Sequence, residues 1–184
     1  MTEKEFMNRL ANGQVDILQQ FLDLLNDMEI DYCVIGGLAV NAYAEPVVSL
    51  DLDLVVVAEA IDKLSQAAEN MFTIKRLPHS FNLKSPHSDL RIQLQTDRRY
   101  QAFISNAARK KVMGYEMKVA SLEDVLRGKI WAYSDGQRRK SKRQKDLADI
   151  FRLVEAYPHL ADLLPESITR CSSFFDLRDQ IFRG

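Results

Sequence analysis

The sequence contains little cysteine, proline and glycine, and it has no long apolar run. Its 184 residues include two cysteines, Cys33 and Cys171, which are too few and too far apart for a disulfide framework. The opening stretch MTEKEFMNRL has no apolar signal core, and no segment approaches the ~18 consecutive apolar residues of a membrane span. These absences predict a cytoplasmic protein that contacts no membrane.

Net charge is also nearly absent. The 25 Lys and Arg residues almost balance the 26 Asp and Glu residues, which leaves −1 at pH 7. The whole molecule therefore gives no reason to expect a nucleic-acid partner, and only a local basic cluster could provide one. His79, His87 and His159 are too scattered to predict a metal cluster. The apolar share of 46% and the charged share of 28% are those of an ordinary globular protein.

Hydrophobic periodicity predicts a mixed α/β core. An amphipathic helix is predicted from Val15 to Met28, followed by the apolar strand in DYCVIGG, a short helix in LAVNAYAE that Pro46 ends, and a strand in VVSLDLDLVVVA. A helix is then predicted from Ala58 to Met71, and FTIKRL, SFNLKS and DLRIQLQ are predicted to be strands. The segment KKVMGYEMKVA is predicted to be a hairpin that turns at Gly114-Tyr115.

The composition changes near Ser121, where helical patterns replace strand patterns. Residues 1–120 are predicted to form the core with its N-terminal helix, and residues 121–184 a C-terminal helical part. The helical part would contain one helix to about Ser134 and another from about Ser141 to Ala156. Because no Gly/Ser-rich linker separates the two parts, we expect them to pack together.

Two carboxylates lie two residues apart in the strand VVSLDLDLVVVA. Asp51 and Asp53 leave the same face of this strand, where they repel each other unless a cation lies between them. Mg²⁺ prefers such oxygen ligands and would also bridge the phosphates of a nucleotide. The D-x-D pattern is common, however, and the same pair could instead cap or line an exposed strand edge.

A Gly-Gly turn precedes these carboxylates. Gly36 and Gly37 lie between a buried strand and a short helix, and glycines let backbone N–H groups approach a phosphate closely. A Gly-Gly pair by itself is usually only a turn. The order strand, Gly-Gly, short helix, strand with D-x-D is much more specific.

In this order, VIGGLAVNAYAEPVVSLDLDLVV resembles the polymerase-beta-like nucleotidyltransferase superfamily. Within it the sequence most resembles the AbiEii/AbiGii toxin-type minimal proteins, which continue with S-x-E-D-x-x-x-x-K and K-D-x-x-D helices. Here SLEDVLRGK stands at residues 121–129 and KDLADI at residues 145–150. The resemblance covers roughly residues 31–155.

This resemblance implies an α/β (α+β) nucleotidyltransferase fold, with a small mixed sheet flanked by helices and a C-terminal helical extension. It implies transfer of a nucleoside monophosphate from an NTP to an acceptor hydroxyl, with Mg²⁺ or Mn²⁺ as cofactor. The metal ligands would be Asp51 and Asp53, and the catalytic residues would be Asp51, Asp53, Lys129 and Asp146. The implied nucleotide-binding residues are Gly36, Gly37, Ser49, Lys129, Arg139, Lys142 and Lys145.

The sequence departs from the family pattern at two places. A basic residue usually stands shortly before the D-x-D, where this chain has Val47 and Val48. A third carboxylate usually comes from a later strand. Here DLRIQLQ alternates with Asp89, Arg91, Gln93 and Gln95 on one face, and Gln93 occupies the expected place. Asp89 and Asp97 lie about two pleats away from it, roughly 13 Å at ~3.3 Å per residue.

These departures leave several hypotheses open. The first is an active enzyme whose acceptor is RNA, a protein or a small molecule, the last as in the antibiotic adenylyltransferases. The second is a catalytically degenerate module that binds a nucleotide or a partner protein, which Gln93 and the missing arginine favour. The basic segment RRKSKRQK, residues 138–145, is either a solvated helix start or a site for a triphosphate or an RNA backbone.

Overall fold

The computed structural model describes residues 1–171 and Phe174. The chain divides into two compact units. The first consists of Met1–Ala42 and Pro46–Ser121, and the second consists of Tyr43–Glu45 and the described residues from Leu122 onward. Across the described residues, no helix is long and apolar enough to cross a membrane.

A seven-stranded mixed sheet forms the centre of the first unit. Its strands are β1 (Tyr32–Ile35), β2 (Asp51–Val56), β3 (Thr73–Leu77), β4 (Ser80–Lys84), β5 (Arg91–Gln95), β6 (Ala108–Val112) and β7 (Tyr115–Val119). They are ordered β3-β4-β5-β2-β1-β7-β6. The pairs β2–β5 and β1–β7 are parallel, and the others are antiparallel. The predicted mixed α/β architecture is confirmed.

Helices lie in both units. The first unit contains α1 (Glu3–Leu10), α2 (Ile17–Asp27), α3 (Gly36–Val40) and α4 (Ile61–Ala68), and the second contains α5 (Leu122–Ser134), α6 (Lys140–Ala156) and α7 (Glu166–Thr169). The described residues also form three 3₁₀ segments: Ala58–Ala60 precedes α4, Arg98–Asn106 lies between β5 and β6, and Pro158–Leu163 lies between α6 and α7. The periodicity did not predict α1. Its signal is the capping box in which Thr2 and Glu5 each bond the other's backbone N–H.

The two faces of the sheet differ in character near the centre. On one face, Leu52 and Leu54 of β2 and Leu94 of β5 are fully buried. The residues that alternate with these leucines in β2, Asp51 and Asp53, are half-buried. This alternation follows from the two-residue period of a strand. It leaves a polar sheet face at the strands that carry the D-x-D pair.

Strand β2 begins later than the sequence predicted. It starts at Asp51, whereas Val47 and Val48 lie outside the sheet and are 49% and 47% exposed. The reason is a side-chain clamp: the Asn41 amide donates to the Val47 carbonyl at 2.8 Å and accepts from the Val47 N–H at 3.0 Å. Because both backbone groups of Val47 are satisfied by this amide, the segment does not need a strand partner.

The hairpin β6–β7 turns one residue earlier than predicted. Val112 pairs with Tyr115, so Met113 and Gly114 form a two-residue loop rather than Gly114-Tyr115. Both loop residues have positive φ, at 49° and 85°. Two-residue loops with two positive φ angles match the right-handed twist of the strands that they join, which explains why the turn lies at Met113-Gly114.

Candidate functional site

The backbone that ends β1 lies directly against the Asp53 carboxylate. Ile35 pairs with Asp53 across β1 and β2, and Gly36 follows with φ +70°. A Cβ placed on Gly36 would lie 2.3 Å from Asp53 Oδ2, so any other residue there would displace this carboxylate. Glycine is therefore required at this position both for its backbone conformation and for the close approach.

Gly37 of α3 lies beside Ser49 in the loop before β2. A Cβ on Gly37 would lie 3.6 Å from Ser49 Oγ, an ordinary contact distance. Ser49 is 7% exposed, and its hydroxyl accepts a hydrogen bond from the Asp51 N–H at 3.3 Å. The first unit thus brings together Gly36, Gly37, Ser49, Asp51 and Asp53, five of the residues that the resemblance assigned to the nucleotide and metal.

Asp51 has a partner that the sequence reading did not assign. Arg91 Nε lies 2.7 Å from Asp51 Oδ1, and the Arg91 side chain is 56% exposed. The two residues are neighbours because β2 and β5 are parallel, with Asp51 opposite Arg91. The alternation of DLRIQLQ already placed Arg91 on this face of its strand. The pairing register that sets it beside Asp51 appears only in the folded sheet.

Gln93 faces Asp53 across the same strand pair. On its other side, Gln93 pairs with Asn82 of β4. The Asn82 Oδ1 atom is buried and makes no hydrogen bond within the described structure. The residue beside Asp53 is therefore an amide flanked by a second amide.

The two other carboxylates near Gln93 in sequence are engaged elsewhere. Asp89 Oδ2 accepts from the Asn12 amide at 2.6 Å. Asp97 caps the 3₁₀ segment that starts at Arg98, and the hydrogen bond from Arg99 holds the pKa of the Asp97 carboxyl below its usual range. Neither residue takes the place of the third carboxylate in the described structure.

The donor set is suitable for one kind of metal site. Among residues 1–171 and Phe174, no three His, Cys, Asp or Glu side chains form a group that could hold a metal ion. Mg²⁺, however, is commonly held by one or two carboxylates and completes its shell with water and substrate phosphates. Asp51 and Asp53 fit that arrangement, in which the metal would compete with Arg91 for Asp51.

Lys129 and Asp146 lie in the second unit, where they bind each other. Lys129 Nζ is 3.1 Å from Asp146 Oδ1 and 2.6 Å from Asp149 Oδ2, and its side chain is 8% exposed. Arg138 binds Asp146 at 2.6 Å and Arg152 binds Asp149 at 2.8 Å. Lys129 and the two carboxylates are buried, Lys129 contacts both acids, and the two more exposed arginines complete the network. Its assignment to a nucleotide stays a prediction.

The basic segment contributes to the same unit. Arg143 Nε donates to the Tyr133 carbonyl at 2.6 Å, and its guanidinium lies 5.2 Å from the centre of the Tyr133 ring. Arg139 and Lys145 are exposed, and Lys142 is half-buried. Two of the arginines of RRKSKRQK, at positions 138 and 143, thus hold the second unit together. Nucleotide binding by Arg139, Lys142 and Lys145 stays a prediction.

Several solved structures resemble this chain. A lincosamide antibiotic adenylyltransferase with lincomycin bound has a TM-score of 0.54 and 16% identity, over 77% of this chain and 99% of that one. The antibiotic-resistance factor ANT(2″)-Ia has a TM-score of 0.57 and 14% identity, over 92% and 95%. An antigenic nucleotidyltransferase-like protein from Paracoccidioides brasiliensis has a TM-score of 0.54 and 18% identity, over 100% and 99%. The chain therefore has the nucleotidyltransferase fold.

The chain resembles these proteins in structure but not in amino-acid sequence. No protein-family model matches the sequence, and no curated protein matches it. At identities of 14–18%, the neighbours establish the fold of the chain but not its reaction.

Proposed function

We propose that this chain is a nucleotidyltransferase, which moves a nucleoside monophosphate from an NTP to an acceptor hydroxyl beside Asp51 and Asp53. The single observation that carries the proposal is the approach of Gly36 to Asp53 Oδ2. A bare backbone next to a carboxylate, on the fold of the adenylyltransferases, is an arrangement in which phosphate and metal can meet.

The nucleotide would lie over the Gly36-Gly37 turn. Without side chains there, phosphate oxygens can reach backbone N–H groups. Mg²⁺ bound by Asp51 and Asp53 would neutralise the charge that develops on the phosphates during transfer. Ser49 holds the backbone of Asp51 in place through its hydroxyl.

The transfer is an in-line displacement. The acceptor oxygen forms a bond to the α-phosphorus, the bond from that phosphorus to the pyrophosphate breaks, and pyrophosphate leaves with the electron pair. The acceptor hydroxyl loses its proton to solvent, because Gln93, the side chain opposite Asp53, cannot accept one. Positioning and charge stabilisation therefore do most of the catalysis, and we expect transfer to be slow.

A second candidate function is a nucleotide-binding module without turnover. The Arg91–Asp51 ion pair at 2.7 Å favours it, because the guanidinium already supplies the positive charge that a metal would bring. The amide at Gln93 points in the same direction. Membership of the AbiEii/AbiGii toxin type, with a partner protein, rests on SLEDVLRGK and KDLADI and is part of the proposal.

Thermal unfolding with each of the four NTPs tests the binding step. At NTP concentrations of about 100 times Kd, binding adds roughly 2.7 kcal/mol to the free energy of unfolding, or several degrees for a chain of this size. The shift should require Mg²⁺ and should shrink in Asp53→Asn. The control is Asp62→Asn, an exposed carboxylate on α4. If no NTP shifts the wild-type melting temperature, the proposal fails.

Labelled NTP incubated with cellular RNA and lysate tests the transfer step. We expect slow labelling by the wild type, none by Asp53→Asn, and faster labelling by Gln93→Asp, because a third carboxylate is worth roughly 10²–10⁴ in rate. NTP binding without any labelling, in the wild type and in Gln93→Asp alike, would favour the binding module instead.

A further inference from the structure

On the β3–β4–β5 side of the polar sheet face that carries Asp51 and Asp53, three cations lie together. They are Lys75 of β3, Lys84 of β4 and Arg91 of β5, and all three are exposed. We call them the cationic row. The pairing registers put them on this face: Asp51 is opposite Arg91, Arg91 is opposite Lys84, and Lys75 is opposite Asn82, two residues from Lys84.

The cationic row contains an electrostatic conflict. Lys84 and Arg91 are directly opposite each other in an antiparallel pair, where like charges destabilise a sheet. Asp51 relieves the charge of Arg91 only. Within the described part of the chain, no ion pair engages the ammonium group of Lys84 or of Lys75. An anionic ligand would remove the conflict, as a metal ion would for the two carboxylates.

The shape of the cationic row indicates a ligand with several anionic groups in succession rather than a single anion. Neighbouring strands are about 4.8 Å apart, so side chains from β3, β4 and β5 cover a strip that leads across the sheet to Asp51. The half-buried Gln93 amide lies on the same face beside this strip. Side-chain amides donate to and accept from base edges, and a strip of cations follows a phosphate backbone.

We propose that the cationic row binds a single-stranded nucleic acid, and that its terminal hydroxyl is the acceptor beside Asp53. This inference rests on the proposed function, because it names the acceptor of the same site. Lys75 and Lys84 would contact successive phosphates. Arg91 would exchange Asp51 for a phosphate when a metal binds the carboxylates. A cationic small molecule would be repelled by the same row.

Fluorescence anisotropy with a labelled 12-nucleotide RNA, and with DNA of the same sequence, measures this binding directly. We expect wild-type Kd values on the order of 10⁻⁶–10⁻⁴ M. Lys75→Gln/Lys84→Gln should bind about tenfold more weakly. It should also lower the slope of log K against log salt by about 0.7 for each lost phosphate contact. Tighter binding of RNA than of DNA would identify RNA as the acceptor, and equal binding would show recognition through the backbone alone.

Lys63→Gln/Arg76→Gln is the matched control. Both side chains are exposed and lie in the same unit, but Lys63 belongs to α4 and Arg76 faces the opposite side of β3 from Lys75, and their removal changes the net charge equally. The control should bind within about twofold of the wild type, since the changed charges lie off the polar sheet face. An equal loss in both double variants, or no wild-type binding at low salt, overturns the proposal. Each single variant, Lys75→Gln and Lys84→Gln, provides a second measurement if the double variant does not fold.

The nucleotide titration separates this inference from the proposed function. Lys75→Gln/Lys84→Gln should keep the Mg²⁺-dependent NTP shift of the wild type. If the NTP shift is present and nucleic-acid binding is absent, the acceptor inference alone is wrong. If nucleic acid binds the cationic row and no NTP binds, the proposed transfer fails while the surface assignment stands.

Discussion

At the residue scale, the site depends on backbone that no side chain covers. Gly36 has φ +70°, and a Cβ there would meet Asp53 at 2.3 Å, whereas a Cβ on Gly37 would meet Ser49 at 3.6 Å. Adjacent glycines therefore have different physical roles. Gly36 is required for conformation and contact, and Gly37 only leaves space over the turn.

This difference gives a prediction with a built-in control. Gly36→Ala should lower the free energy of unfolding by at least about 2 kcal/mol, because an L side chain at positive φ is strained and the Cβ displaces Asp53. Gly37→Ala should change it by less than about 1 kcal/mol, since alanine suits a helical position. Urea denaturation of both variants checks this. Equal effects would contradict the role given to Gly36.

At the residue scale there is also one replacement that changes chemistry rather than packing. Gln93 stands opposite Asp53, where a third carboxylate is expected. Its side chain has almost the same shape as that of glutamate. An amide can orient water or a base, but it cannot take a proton or hold Mg²⁺ firmly. The balance between enzyme and binding module therefore depends on this single position more than on the rest of the fold.

At the element scale, α5 and α6 are joined by buried charge. Lys129 on α5 binds Asp146 and Asp149 on α6, and these two carboxylates are 3% and 6% exposed. Buried charges of this kind are costly unless they are paired. The two helices therefore have a fixed register, set by the one lysine that reaches both acids.

Removing Lys129 should lower the free energy of unfolding substantially. Lys129→Met leaves two buried carboxylates with only their arginine partners, and breaking such a network typically costs about 3–5 kcal/mol. Lys145→Met, an exposed lysine on the same pair of helices, should cost less than about 1 kcal/mol. Thermal and urea unfolding compare the two. Similar stability of both variants would show that the network does not hold α5 to α6, and would return Lys129 to a ligand-binding role.

At the scale of the whole molecule, buried phenols set a limit on the alkaline side. Burial raises the pKa of Tyr43 in the second unit to about 12, and Glu123 acts in the same direction. Burial also raises the pKa of Tyr115 in the first unit, helped by Asp16, whose carboxylate accepts the phenol hydrogen bond at 3.0 Å. Tyr32 is shifted in the same direction by burial.

The sign of the pH dependence follows from these raised values. Between the ordinary tyrosine pKa of 10.0 and the folded value of about 12, the unfolded chain loses phenolic protons that the folded chain keeps. The contribution of this phenol to the free energy of unfolding is therefore fully present below pH 10, and it is lost as the pH rises through about 12. Urea midpoints from pH 8 to 12 should decline, and the decline should be shallower in Tyr43→Phe. An unchanged slope in Tyr43→Phe would show that Tyr43 does not cause the decline.

What the sequence determined by itself is the local chemistry. Strand period and glycine conformation are local properties, so the motif from Val34 to Asp53 predicted the glycine turn and placed the two carboxylates on one strand face. The resemblance of this motif to the nucleotidyltransferase superfamily predicted the fold. The alternation of β5 placed Gln93 and Arg91 on one face for the same reason. The capping box at Thr2 is also a local sequence pattern that predicts the start of a helix, although periodicity alone did not predict α1.

What only the tertiary structure decided is which faces meet. Strand register makes Arg91 the partner of Asp51 and sets Lys84 beside it, and no sequence spacing fixes the pairing of strands that are ~40 residues apart. The Asn41 clamp that keeps Val47 out of β2 is likewise a contact between segments. The partners of Lys129 were also decided by the tertiary structure. A lysine in a helical pattern does not show whether its ammonium group contacts solvent, a nucleotide or two buried carboxylates.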